Sequence, residues 1–183
     1  MYDLILRIHA SGKLVGKMTN EKQITYDVDG YDVVTDALLN LINQYPALDG
    51  DVIKFSTLGS DSGKAMFPIS GAVVESEKEN IIGHVTKVCL YPFYIIFRES
   101  GLSEQHRAKT KEWLDNFGKW LEKSEITVKD KKYQLTEYPT LTGERKFLGI
   151  SRQTPSFLDN ATENMTEDWA ISISARYQYE YDK

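Results

Sequence analysis

The groups in this chain that could do chemistry are few and scattered. Its nearest approach to a nucleotide loop is Gly59-Ser60-Asp61-Ser62-Gly63-Lys64-Ala65. A phosphate-cradling loop needs a glycine five residues before its final glycine, and a hydroxyl after the lysine to hold magnesium. Leu58 and Ala65 occupy those positions, so the segment reads as a flexible hairpin loop. His9, His84 and His106 fall in three separate segments, none at ligand spacing from another or from Cys89, and no metal site is assigned. Cys89 lies in an apolar run and reads as an inert core thiol.

The carboxylates Asp159, Glu163, Glu167 and Asp168 lack the Asp-x-Asn-x-Asp-Gly order of a calcium loop and read as a solvated acidic loop. Ser56, Ser62 and Ser70 lack the Gly-x-Ser-x-Gly elbow of a nucleophilic serine. Trp113 and Trp120 recur at helical spacing, a core stripe rather than a ligand pocket. No catalytic residue, cofactor or metal ligand is assigned.

Composition narrows the class further. A length of 183 residues allows one compact domain, 1–183, with its own core. A net charge of -5 offers no footprint for nucleic-acid affinity. The one basic cluster, Lys129, Lys131 and Lys132, is interrupted by Asp130 and reads as a wet loop. No apolar run is long enough to cross a bilayer, and Met1–Ile8 is too short and charged for a signal peptide. A single cysteine excludes an internal disulfide and suits a reducing compartment. Two Asn-x-Thr triplets, at Asn160 and Asn164, are therefore read as coincidence, and the chain as one folded in a cytoplasm.

The elements come next. Alternation at Tyr2–His9, a Ser11-Gly12 turn, Leu14–Met18 and Gln23–Val28 predict a small N-terminal β-meander over residues 1–30. Asp32 is placed as the cap of a helix carrying Val34, Ala37, Leu38, Leu41, Ile42 and Tyr45 on one stripe and ended by Pro46. Val52–Leu58, Ala65–Val74 and Gly83–Glu99 read as strands, with loops at 59–63 and 75–80. Val88–Phe97 is apolar on both faces, predicting a central strand covered on both sides with a bulge or break at Pro92. Ser103 caps a second helix to about Lys123, with Trp113, Leu114, Phe117, Trp120 and Leu121 inward. Gly118 costs that helix about 1 kcal/mol relative to alanine. A polar loop, 125–143, a strand, 144–153, and the acidic loop lead to the last strand. The fold class is α+β: a mainly antiparallel twisted sheet with two helices packed on it.

That last strand stands out. From Asp168 to Asp182, Trp169, Ile171, Ile173, Ala175, Tyr177, Tyr179 and Tyr181 alternate with polar residues without a slip. Its span is roughly 45 Å, about twice an ordinary strand. A small domain is not expected to cover all of that face, so Tyr177, Tyr179 and Tyr181 are assigned to a subunit interface.

Five segments together carry a resemblance. They are Tyr91-Pro92-Phe93-Tyr94-Ile95-Ile96-Phe97-Arg98, Trp113-Leu114-Asp115-Asn116-Phe117-Gly118-Lys119-Trp120-Leu121, Tyr138-Pro139-Thr140-Leu141-Thr142-Gly143, Ser151-Arg152-Gln153-Thr154-Pro155 and Glu167-Asp168-Trp169-Ala170-Ile171-Ser172-Ile173. From about Tyr31 onward the chain resembles the minor capsid, or tail terminator-like, proteins of tailed phages and prophages of Gram-positive bacteria. The resemblance rests on core pattern and turn residues and does not extend to the opening meander. It implies an α+β virion protein of the neck, made in the bacterial host cytoplasm. It further implies a hexameric ring that caps the tail tube and meets the tail-tube and head–tail connector proteins. DNA would pass through without specific binding, no membrane is involved, and acidic walls would repel phosphates rather than hold them.

Other classes have their own signatures. Another neck or tail component, such as a tube or connector subunit, would share the same fold logic. A small cytoplasmic enzyme would carry a concave pocket with perturbed titratable groups, and a peptide-binding module an exposed sheet edge.

Overall fold

The computed structural model describes residues 24–100, 103–162 and 166–183. Along them run α1 (Gly30–Ile42), β1 (Ile53–Phe55), β2 (Gly63–Pro68), β3 (Val73–Glu79), β4 (His84–Ser100), α2 (Glu104–Leu121), β5 (Ile126–Val128), β6 (Lys131–Tyr133), β7 (Arg145–Arg152), β8 (Phe157–Ala161) and β9 (Thr166–Asp182). The fold is α+β. The main sheet has the order β1-β2-β4-β9-β7, with β3 added to β4 and β8 to β9, and its pairs are antiparallel except β1 with β2. The strands expected at Tyr2–His9 and Leu14–Met18 lie outside the described residues.

The centre of the sheet is one long ladder. β4 and β9 are 17 residues each and pair over their whole length, from His84↔Asp182 to Ser100↔Thr166. The run is about 55 Å at ~3.4 Å per residue. The overlong last strand thus finds its backbone neighbour within its own chain.

Helix packing decides which face of the ladder is dry. Cys89, Tyr91, Phe93 and Ile95 of β4 and Ile171, Ile173, Ala175 and Tyr177 of β9 are buried in one core with Val34, Leu38 and Leu41 of α1 and Leu114, Phe117 and Leu121 of α2. The opposite residues of β4, Val88, Leu90, Pro92, Tyr94 and Ile96, are only half-buried. The expectation of cover on both faces is therefore corrected: both helices contribute to the one core on the odd-numbered face. Nor does Pro92 break the strand, since its register with Ser174 is uninterrupted. Its carbonyl accepts from Ile69 N (2.9 Å), so the donor it lacks would have pointed at the turn between β2 and β3, where no ladder bond is lost.

That turn splits what reads as one strand, Ala65–Val74. Pro68 ends β2, and β3 then runs to Glu79 through the segment expected to be a loop. β2 and β3 lie in line along the same side of β4, at residues 93–98 and 85–90. From Glu75 to Glu79 the side chains of β3 are exposed, which is why their charges mimic a loop. Charged side chains on an edge strand oppose unwanted strand pairing. The loop at 125–143 likewise contains the hairpin β5–β6, turned at Lys129 and Asp130 with φ of 48° and 62°.

α1 begins at Gly30, two residues before the predicted Asp32 cap. The Asp27 carboxylate accepts from Gly30 N (3.1 Å) and takes the capping role. Gly30 is required there: a Cβ would lie 2.0 Å from Asp27 Oδ2 and 2.8 Å from the Tyr177 hydroxyl. α2 starts as predicted, with Ser103 Oγ accepting from His106 N (3.4 Å). Gly118 is a packing residue rather than a tolerated cost, because a Cβ would fall 2.3 Å from Arg152 Cδ and 3.0 Å from Ile171 Cδ1.

Candidate functional site

The residues singled out for chemistry do not meet. Lys64 is buried and ion-paired with Asp51, its ammonium 4.0 Å above the Phe97 ring and 5.4 Å from Trp113. Cation–π contact and a carboxylate thus occupy the one lysine of the glycine loop. His84 contacts Asp182 (2.8 Å) at one end of the ladder, and His106 contacts Ser103 Oγ (2.9 Å) at the start of α2. His9 lies outside the described residues. Among the described residues, no three His, Cys, Asp or Glu side chains gather where a metal could sit. Cys89 is buried, and burial pushes its thiol up to about 11.

Two of the acidic residues near 160–168 are not solvated. Glu167 and Asp168 begin β9 and are buried. Glu167 accepts from Arg107 Nε (2.9 Å) and Asp168 from Arg98 Nε and Nη2 (2.7 Å each). Burial raises the Glu167 carboxyl less than the Arg107 hydrogen bonds lower it, so it sits below the usual range. Asp159 is exposed in β8, and Glu163 lies outside the described residues.

Sequence reasoning missed the most heavily bonded polar cluster. Of the strand expected at Gln23–Val28, the described residues keep only a bridge from Tyr26 to Val73; Ile24, Tyr26 and Val28 are exposed and Asp27 between them is buried. Asp27 accepts from Arg145 Nη2 (2.8 Å) and Nε (2.9 Å), from the Tyr177 hydroxyl (2.8 Å) and from Gly30 N. Burial pushes its carboxyl up, but the Arg145 and Tyr177 hydrogen bonds outweigh this and hold it below the ordinary value. Burial pushes the Tyr177 phenol up. The segment before α1 is tied to β3 by Asp27 N donating to Ala72 O and Val74 N donating to Thr25 O, both 2.8 Å. An arginine 118 positions away leaves no local sequence signal.

Tyr177 is therefore corrected as an interface residue. It is fully buried within its own chain, under the Asp27 clasp. Tyr179 and Tyr181 differ. Both are half-buried and stack on each other with centroids 5.3 Å apart. Arg145 lies 4.0 Å above Tyr179, and Lys87 lies 5.2 Å above Tyr181. Beyond them burial falls away to exposed Asp182.

The remaining surface features are the sheet edges and one cleft. At β1, Asn43 Oδ1 accepts from Ile53 N (2.8 Å) and its Nδ2 donates to Ile53 O (3.1 Å). At β7, the Tyr138 hydroxyl accepts from Ile150 N (3.2 Å) and Glu122 from Arg152 N (2.8 Å). Side chains thus occupy backbone groups that an added strand would need. Beside β7 lies a cleft of about 430 Å³ lined by Tyr138, Pro139, Leu141 and Phe147 together with the charged Lys123, Glu137, Arg145 and Lys146. No protein-family model and no curated protein matches the chain.

Proposed function

We propose that this chain is a structural subunit of a phage neck, a tail terminator or head–tail joining protein that works by assembling into a ring on the tail tube. The observation that carries this reading is the far end of the β4–β9 ladder. There the contiguous core ends at Tyr177 and Val85 is the last buried side chain, while Tyr179, Tyr181 and the β3–β4 hairpin run on with their apolar surface part-exposed. Apolar surface held on a rigid ladder suits a protein contact. Ring closure through a repeated heterologous contact would use such a surface in every copy. The five sequence segments that resemble the terminator-like family supply the setting: the tube on one side, the connector on the other, DNA passing through unbound. No cofactor, metal or catalytic residue has a part in the proposal.

The test is negative-stain imaging of the purified chain, alone and mixed with tail tubes. Rings, or caps on tube ends, are the expected result. A chain that stays monomeric at high concentration and leaves tube ends bare refutes the proposal.

A further inference from the structure

The main sheet has a second face, and α1 and α2 both pack on the other one. On this face β4 presents Val88, Leu90, Pro92, Tyr94 and Ile96, all half-buried. Residues directly opposite on neighbouring strands share a face, so the register extends the apolar area. Phe67 of β2 lies opposite Tyr94, and Val73 of β3 opposite Leu90. Towards β9 the face turns polar, with Ser172, Ser174 and Arg176 opposite Tyr94, Pro92 and Leu90. Its apolar half is therefore the half on the β2 and β3 side.

The segment before α1 enters at that half. Tyr26 bridges to Val73 in antiparallel register, and Val74 N donates to Thr25 O (2.8 Å). Tyr26 thus shares the face of Val73 and Leu90, and Ile24, two residues earlier, lies on the same side. Asp27 is buried towards Arg145 and Tyr177, whereas Ile24 and Tyr26 are 63% and 49% exposed on the helix-free side. An isoleucine and a tyrosine in water at the rim of a half-buried apolar area mark surface that a partner covers.

We propose that this face is the docking surface for the chain's own residues 2–18, which lead into Ile24. Chemistry, reach and tether identify the occupant. Tyr2, Leu4, Leu6 and Ile8 alternate with Asp3, Arg7 and His9, one apolar stripe for one apolar surface. From Val88 to Ile96 the surface measures about 27 Å, and an extended Tyr2–Ile8 about 20 Å, at ~3.4 Å per residue. The residues from His9 to Gln23 can span up to about 50 Å, ample to carry the stripe from the rim across β4. A segment tethered at the rim holds a local concentration of about millimolar, above that of a free second copy. The docking needs no ring, and a subunit that never assembles would still show it.

A nitroxide label on Arg7→Cys, on the polar side of the stripe, tests this in the full chain; Cys89 is buried and stays unlabelled. The methyl signals of Val88, Leu90 and Ile96 are expected to lose most of their intensity relative to the reduced label, and those of Ile126 to keep it. The same label in L4D/L6D should leave all four intact, with thermal melting to check that this variant stays folded. Full intensity at Val88, Leu90 and Ile96 beside the unaltered stripe refutes the proposal, as does an equal loss in folded L4D/L6D. Mixing labelled protein with unlabelled, isotope-enriched protein reads contact between copies and does not depend on L4D/L6D. Unchanged signals in the mixture support the chain's own segment as occupant; losses there as large as within one molecule assign the face to a second copy and overturn it.

Discussion

Replacing Asp27 by asparagine puts the clasp to a quantitative test. The substitution keeps the shape but leaves the Arg145 guanidinium, whose side chain is 6% exposed, without its counter-charge. It also turns an amide donor towards Arg145 and Tyr177, which both donate to the native carboxylate. Breaking a buried pair by removing one partner costs about 3–5 kcal/mol. For a domain of this size each kcal/mol is worth about 2–4 °C, so D27N should melt about 6–20 °C below the unaltered chain at pH 7. The sign of the pH dependence follows from the lowered carboxyl. Its contribution is complete above the unfolded value of about 3.9 and is lost as pH falls through the folded value. Melting curves followed by circular dichroism from neutral pH down to about pH 3 should show the gap between the two proteins narrowing on the acid side. The double variant D27L/R145M, which removes both charges, should recover much of the loss. A D27N melting point within about 2 °C of the unaltered chain at pH 7, less than ~1 kcal/mol, refutes the reasoning. So does a gap that stays constant on acidification.

Two more outcomes test the packing around the same region. Gly30→Ala should lower the melting point although alanine is the better helix former by about 1 kcal/mol, because its Cβ would collide with Asp27 and the Tyr177 hydroxyl. A raised melting point would show that the clasp yields easily. Y179S/Y181S should stop assembly while shifting the melting point far less than D27N, since both rings lie at the edge of the core rather than in it; unchanged sedimentation of the assembled species would count against the tyrosine stack as contact surface. Truncation after Ala175 is a poorer probe, because it also removes buried Tyr177.

The elements that were legible are those whose burial repeats. Trp113, Leu114, Phe117, Trp120 and Leu121 read as a helix face behind Ser103, and α2 starts at that cap. The unbroken alternation after Asp168 reads as β9 within two residues of its start. Its partner was not read: Gly83–Glu99 is as long as the last strand, but the excess length of the last strand was assigned to a subunit interface instead. β3 was hidden because an edge strand facing water carries loop-like charges, and β8 because four of its five residues are exposed. Glu167 and Asp168 were read as wet because burial of a charge depends on an arginine from a distant segment. The interface assignment failed at Tyr177 for the same reason: its shelter comes from the other end of the chain.

The pairing of β4 with β9 also sets the order in which the molecule can become itself. Everything between the two strands, including α2 and β7, must be synthesised before β4 gains that neighbour. Until then Tyr91, Phe93 and Ile95 have α1 and β2 beside them but not the strand that completes their layer. Closure over so long a loop makes folding slow and leaves a half-finished sheet prone to sticking to its siblings. A nascent chain of this kind matures late.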